Sequence, residues 1–300
     1  MNPLISVAEL ASLLDKPAAD RAGLVLLDAT TLLPGESFDI EAMFVQAHLP
    51  GARRFDIEAF SDPDTTLPHM VPSQGRFARL ISALGVRNDS DVVFYDQSGV
   101  VSAARGWWLL GLFGHDRVRV LDGGLPAWRD EGYMLEQGEP VPPRPGHFIP
   151  MLRTSRLIGL GDMVELSRAA VSDDADAARL LDARSRGRFE ATMPEPRAGL
   201  AGGHIPGAAS LPFGELLVEG RRFRPADELR ARFEAAGVVQ GDRVVTSCGS
   251  GLTASVLALG LAVSGYGPGA MYDGSWTEWA QAPGLERATG PGTIHRGAVS

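Results

Sequence analysis

The chain repeats itself, because five segments of its first half recur in the same order roughly 150 residues later. LVLLDAT (24–30) resembles ARLLDAR (178–184), and AHLPGA (47–52) resembles GHIPGA (203–208). The other matched segments are 83–86 with 235–238, 91–99 with 242–251, and 121–128 with 272–279. Since the order is kept and the spacing changes little, the repeat predicts two copies of one domain.

The repeat also predicts where the domains begin and end. We expect an N-terminal domain over 1–136, a linker over 137–152, a C-terminal domain over 153–286 and a mobile tail over 287–300. The stretch EQGEPVPPRPGHFIP (136–150) holds five prolines and has no periodic apolar pattern. That composition is typical of an extended, semi-rigid linker.

Within each copy, short apolar runs rich in β-branched residues alternate with helical patterns. QGRFARLISALGV (74–86) and PADELRARFEAAGV (225–238) both reach the glycine that is expected just past a helix. The alternation predicts an α/β fold, in which each copy is a mainly parallel sheet flanked by helices on both faces. In such sheets, sites form on the loops that follow the carboxyl ends of strands.

Composition excludes several classes of function. A net charge of -9 argues against a nucleic-acid surface. The single cysteine, Cys248, cannot form an intramolecular disulfide, and the single lysine, Lys16, argues against Schiff-base and pyridoxal chemistry. We find no signal-peptide pattern and no apolar run of membrane-spanning length, so we expect a cytoplasmic location and no membrane partner.

Cys248 lies in VVTSCGSGLTAS (244–255), for which three interpretations compete. The first is a buried structural thiol, which is how most free cysteines behave. The second is a dinucleotide-binding loop, since GSGLTA (249–254) fits G-x-G-x-x-A and Asp273 has the spacing of a ribose ligand. Only 27 residues follow Asp273, too few for the further βα units that such a domain needs.

The third interpretation is a nucleophile presented on an anion-binding loop. Gly249 and Gly251 would let successive backbone N–H groups turn inward, and the helix that follows would add positive potential. Both effects stabilise a thiolate, or an anion held on its sulfur. Loops of the tyrosine-phosphatase type carry an arginine after five intervening residues, where this chain has Ala254. The missing arginine argues against phosphate and favours a smaller group such as sulfur.

The chain resembles the two-domain rhodanese superfamily in three features: the tandem halves, the CGSGLTA loop (248–254) and the segment GRFEATMPEPR (187–197). Within it, the resemblance is to 3-mercaptopyruvate sulfurtransferases, and it extends from about residue 5 to residue 285. The resemblance implies a catalytic C-terminal copy and a non-catalytic N-terminal copy, in which Asp96 takes the place of Cys248. It further implies sulfur transfer through a persulfide on Cys248, with no metal or organic cofactor.

The resemblance also assigns the other site residues. Arg188 and Arg197 would bind the carboxylate and ketone of 3-mercaptopyruvate, which suit planar guanidinium groups. Ser250 would handle protons together with His69 and Asp62 of SDPDTTLPHM (61–70), if folding brings residues 69 and 250 together. The remaining residues assigned to substrate binding are in the loop itself, with Thr253 expected to donate a hydrogen bond to it: Gly249, Gly251, Leu252 and Thr253.

The identity of the sulfur donor depends on the charge beside the cysteine. Thiosulfate-type rhodaneses carry basic side chains there, whereas Gly249 and Ser250 are uncharged, which favours 3-mercaptopyruvate as the donor. Expected acceptors are a thiol, such as thioredoxin or a small thiol, or cyanide. Two alternatives stay open: a thiosulfate:cyanide sulfurtransferase on the same scaffold, and a non-catalytic persulfide carrier or interaction module.

Overall fold

The computed structural model describes residues 2–17, 19, 21, 23–172, 174, 176–219 and 221–292. Residues 293–300, most of the predicted tail, lie outside the described residues. The chain divides into two units, and the first comprises Met1–Asp64, Val71–Arg153 and Glu219–Phe223. The second comprises Thr65–Met70, Thr154–Val218 and Arg224–Ser300. Each unit therefore includes one short segment from the other half of the sequence.

The first unit is built on a five-stranded sheet in which every neighbouring pair is parallel, in the order β1-β5-β4-β2-β3. Its two central strands, β4 and β2, are almost wholly buried, as expected for a parallel sheet covered on both faces. The strands are β1 (Leu4–Ile5), β2 (Leu24–Asp28), β3 (Arg53–Arg54), β4 (Asp91–Tyr95) and β5 (Val118–Leu121).

The first three helices of the first half begin where a short polar side chain caps them. Ser6 and Glu9 form a reciprocal capping box at the start of the first helix, and Asp39 and Ser73 accept backbone N–H groups at the next two. The helices are α1 (Val7–Leu14), α2 (Ile40–Gln46), α3 (Gln74–Ala83), α4 (Val101–Leu112) and α5 (Gly124–Asp130).

The second unit repeats this topology, because its five-stranded parallel sheet has the order β6-β12-β11-β7-β8. The strands of the second half are β6 (Leu157–Ile158), β7 (Arg179–Asp182), β8 (Ala208–Ser210), β9 (Leu217–Val218), β10 (Arg222–Phe223), β11 (Val244–Ser247) and β12 (Ala270–Tyr272). The helices are α6 (Leu160–Val171), α7 (Arg186–Phe189), α8 (Ala226–Ala235), α9 (Ala254–Val263) and α10 (Ser275–Trp279). The predicted α/β fold with two copies of a parallel sheet is confirmed.

The repeated H-x-P-G-A turns are structural in both copies. The Nδ1 atom of His48 lies 2.8 Å from the Phe44 carbonyl oxygen, and that of His204 lies 2.9 Å from the Phe189 carbonyl oxygen. Each imidazole also stacks on the ring of the same phenylalanine, with centroids 4.3 Å and 3.7 Å apart. Burial lowers the pKa of His204. The same contacts in both halves explain why both copies keep the turn.

Helix α9 is apolar on every side and buried along nearly its whole length. It therefore lacks the polar face of a surface helix. Its N-terminus is buried inside the second unit and directly follows the loop that begins at Cys248. Although α9 is strongly apolar, it is short, and no helix in the described part of the chain is both long and apolar enough to cross a membrane.

Candidate active site

Cys248 directly follows β11, which lies between β12 and β7 inside the second sheet. The sequence thus presents it at the carboxyl end of an inner strand, where parallel sheets form their sites. We call residues 248–253 the cysteine loop; helix α9 begins at the next residue. The Cys248 side chain is only 2% exposed, so the loop encloses the thiol instead of projecting it into solvent.

The two glycines of the cysteine loop have different reasons to be glycine. Gly251 has a φ of 79°, in the left-handed region that favours glycine. Gly249 has no positive φ, so its backbone angle alone does not require glycine. A Cβ at Gly249 would lie 3.0 Å from Arg188 Nη2 and 3.6 Å from Arg197 Nη1. Gly249 therefore makes room for the two guanidinium groups beside the cysteine.

The segment 275–277 holds the start of the cysteine loop. The N–H of Cys248 donates to Ser275 Oγ at 3.1 Å, and its carbonyl accepts from the N–H of Trp276 at 2.9 Å. The carbonyl of Gly249 accepts from both the N–H and the hydroxyl of Thr277, at 3.0 Å and 2.6 Å. These contacts fix the backbone on either side of the sulfur.

Ser275 was not identified from the sequence, although a signal was available. It is buried with a φ of 50°, a conformation that costs a residue with a Cβ about 1–3 kcal/mol. The first copy has Gly124 at the matching place, with a φ of 56°. The second copy reads DGSW (273–276) where the first reads DGGL (122–125). A serine in place of the expected glycine indicates a side chain that is needed for its hydroxyl.

The first copy shows what this type of loop does with a negative charge. Asp96 occupies the position that corresponds to Cys248, and its carboxylate is fully buried. Its Oδ1 accepts the N–H groups of Ser98 and Gly99 at 3.0 and 2.5 Å, and its Oδ2 those of Ser102 and Ala103 at 2.9 and 3.0 Å. Burial raises the pKa of Asp96, and these N–H groups oppose the rise. The loop is thus an anion-binding nest.

In the second copy, the cysteine loop contains N–H groups that no described residue accepts. Those of Ser250, Leu252 and Thr253 donate to no acceptor within the described part of the chain. The Leu252 side chain is buried, consistent with a packing role. The Thr253 side chain accepts no capping hydrogen bond at the start of α9, and its donation to the loop stays a prediction. The free N–H groups can receive an anion on the Cys248 sulfur.

Ser250 and His69 meet within the second unit, to which the segment Thr65–Met70 belongs. The Nδ1 atom of His69 lies 3.0 Å from Ser250 Oγ, and both side chains are buried. His69 has a φ of 60°, which is uncommon for a residue with a side chain and is found at functional sites. Asp62 belongs to the first unit, where it accepts the N–H of Asp64 at 3.0 Å. A role for Asp62 beside His69 stays a prediction.

A buried chain of charges supports Arg188, and its inner members were missed from the sequence. Glu195 accepts from Arg188 Nη2 at 2.6 Å and from Arg184 Nη1 at 2.7 Å. Arg184 also donates to Asp182 at 2.6 Å and lies 4.6 Å from the centroid of the Trp276 ring. Burial would lower the pKa of Arg184, but the two carboxylates outweigh it and raise the pKa. The acid in PEPR (194–197) was the available signal for Glu195.

The second unit therefore gathers Cys248, Gly249, Ser250, His69 and Arg188 around one loop, with Arg197 at its edge. The arrangement joins a buried thiol, free N–H groups, two guanidinium groups and a hydroxyl–imidazole pair. It can hold an anionic substrate, accept an atom on sulfur and move a proton. Among the residues that the structure describes, no group of three His, Cys, Asp or Glu side chains could hold a metal ion.

Comparison with known proteins agrees with this architecture. A model of the rhodanese-like domain matches residues 6–131 and 165–282. A thiosulfate/3-mercaptopyruvate sulfurtransferase from Arabidopsis thaliana is 38% identical, covering 95% of this chain and 77% of that protein. A 3-mercaptopyruvate sulfurtransferase from Escherichia coli K12 is 38% identical, covering 85% and 88%. The crystal structure of the Tum1 protein from Saccharomyces cerevisiae superposes with a TM-score of 0.86 at 32% identity, covering 97% and 98%.

The domain model matches once in each half, and the relatives align along most of the chain. Both sheets therefore belong to a single family. The chain belongs to the rhodanese family and consists of two rhodanese-like domains.

Proposed function

We propose that this protein is a 3-mercaptopyruvate sulfurtransferase whose second domain is catalytic and whose first is not. The observation that carries the proposal is the position of Gly249, next to Cys248 and against the guanidinium groups of both Arg188 and Arg197. This places two planar cation donors beside one nucleophilic sulfur, as a donor with a carboxylate and a ketone requires. The names of the relatives from Arabidopsis and Escherichia coli support the same assignment.

In the first step, the Cys248 thiolate attacks the sulfur of 3-mercaptopyruvate and a sulfur–sulfur bond forms. The carbon–sulfur bond of the donor breaks, and its electron pair remains on carbon as the enolate of pyruvate. The proton of the donor thiol is lost and one proton is gained at that carbon, so pyruvate leaves and Cys248 holds a persulfide anion. The free N–H groups of the cysteine loop receive that charge.

Ser250 and His69 are the groups placed to move the proton. A hydroxyl and an imidazole 3.0 Å apart can pass a proton between donor thiol and enolate carbon. In the second step, a thiol or cyanide attacks the outer sulfur, the sulfur–sulfur bond breaks, and the Cys248 thiolate is restored. Thioredoxin, a small thiol and cyanide are the acceptors that this chemistry allows.

The competing donor is thiosulfate, which the name of the Arabidopsis relative includes. We expect kcat/KM for 3-mercaptopyruvate to exceed that for thiosulfate by at least about tenfold, because the cysteine loop carries no basic side chain to balance a second negative charge. Steady-state rates with both donors and cyanide as the common acceptor check this expectation. A higher kcat/KM with thiosulfate would favour the rhodanese reaction, and no turnover with either donor would favour a persulfide carrier.

Ser250→Ala is expected to slow the reaction with 3-mercaptopyruvate about 10²-fold or more, because the proton path from donor thiol to enolate is interrupted. Thiosulfate needs no such proton transfer, so its turnover should change little. Parallel measurement of kcat with both donors checks the role of the hydroxyl. An equal loss with both donors would show that Ser250 supports the loop and does not move a proton.

A further inference from the structure

Glu195 lies behind the donor site, where it contacts one of the two substrate-facing arginines. Its side chain is 2% exposed, whereas that of Arg188 is 20% exposed. Glu195 Oε2 accepts from Arg188 Nη2 at 2.6 Å, and Arg188 Nε lies 3.2 Å from each carboxylate oxygen. This two-point contact orients the guanidinium plane and cancels its charge.

Arg184 has a second carboxylate partner besides Glu195. It is fully buried and pairs with Asp182 through two of its nitrogens. It also donates to the Gly203 carbonyl at 2.7 Å. Asp182, Arg184, Glu195 and Arg188 therefore form a chain of alternating charges whose sum is zero.

Arg197 is different, since its guanidinium group forms no hydrogen bond or ion pair with any described residue. It is half-buried and faces Gly249 beside Arg188. With Cys248 as a neutral thiol, the chain of four charges and Arg197 together sum to one positive charge beside the cysteine loop, and ionisation of Cys248 lowers that sum to zero. Each further negative charge on a ligand is therefore less well compensated, which penalises a dianion more than a monoanion in a buried site.

We infer that Glu195 is a specificity-determining residue, which lowers the positive charge of the donor site by one unit and thereby selects monoanionic over dianionic ligands. The inference rests on the proposed function, because it assigns the carboxylate of the donor to this site. Pyruvate and oxalate test it directly, since they are close in size and differ by one negative charge at neutral pH. The affinities of pyruvate and oxalate can be measured without turnover of a substrate.

In the wild-type protein, pyruvate should bind at least as tightly as oxalate when both are titrated calorimetrically at pH 7.5. In Glu195→Gln the net charge rises by one, so oxalate should gain at least tenfold in affinity relative to pyruvate. The ratio of kcat/KM for 3-mercaptopyruvate over thiosulfate should fall by at least tenfold in the same variant. Most of that change should appear in KM for thiosulfate.

Two control variants distinguish the effect of the negative charge of Glu195 from its structural support of Arg188. Glu195→Asp keeps the charge and should keep the wild-type preference, even if kcat falls. Glu215→Gln removes a half-buried carboxylate that pairs with Arg186 at 2.7 Å. It changes the total charge equally and should alter neither ratio.

Equal changes for both ligands in Glu195→Gln would overturn the inference and leave Glu195 a structural role. Oxalate binding to the wild type tenfold more tightly than pyruvate would overturn it without any variant, as would no binding of either ligand. If the ligands behave as expected and 3-mercaptopyruvate is not turned over, the proposed function fails while the charge selection stands.

Discussion

Cys248→Ser is expected to remove sulfur transfer from either donor, with a loss in kcat of at least about 10³-fold, because a hydroxyl cannot form the persulfide. The fold should survive the change, since the first domain carries Asp96 at the same place and builds the same sheet. Replacing a buried sulfur by a hydroxyl is expected to cost about 1–2 kcal/mol of unfolding free energy at most.

Intact mass spectrometry after exposure to 3-mercaptopyruvate gives the sharpest measurement. The wild-type protein should gain one sulfur atom, lose it on addition of a small thiol, and release one equivalent of pyruvate. Cys248→Ser should show none of the three. Since Cys248 is the single cysteine of the chain, alkylation of the wild type provides a matched control, because one added group must abolish the mass gain and the turnover together. A mass gain that persists in the variant would contradict the persulfide on Cys248.

The repeat was sufficient to predict the fold, because matched segments fell on corresponding strands. LVLLDAT and ARLLDAR became β2 and β7, while 91–99 and 242–251 supplied β4 and β11. Both sheets then followed one strand order. The position of Cys248 after β11 also followed from the sequence, since a β-branched run ending at a small polar residue and glycines marks the carboxyl end of a strand.

The support of the site could not be predicted in the same way, because it depends on residues distant in sequence or on space alone. Ser275 reaches the N–H of Cys248 across 27 positions. Gly249 is needed because Arg188 and Arg197, more than fifty positions earlier in the sequence, approach it closely. Its backbone angle does not require glycine. The buried partner of Arg188 is Glu195, whose sequence position alone does not show which arginine it contacts.

The two loops differ in one respect that only the structure shows. In the first domain the anion is permanent and covalently part of the chain, so the N–H groups that surround it are always satisfied. In the second domain the N–H groups of Ser250, Leu252 and Thr253 have no acceptor among the described residues. We propose that a loop of the same type holds a permanent charge of the fold in one copy and a reaction intermediate in the other.

Asp96→Asn tests that difference and is expected to destabilise the protein by about 2–4 kcal/mol. The variant keeps the size of the side chain, but its amide places an NH₂ group against backbone N–H donors that now face a carboxylate oxygen. At least two buried donors lose their acceptor, and each costs about 1–3 kcal/mol.

Urea denaturation at pH 7 measures the change in unfolding free energy. Asp64→Asn is the matched control, because Asp64 is exposed. The same substitution there should alter the unfolding free energy by less than about 0.5 kcal/mol. Sulfur transfer by folded Asp96→Asn should stay close to that of the wild type, since the lesion lies in the non-catalytic copy. A variant as stable as the wild type would mean that the nest of the first domain does not depend on its carboxylate. The first domain would then offer no example of this type of loop binding an anion.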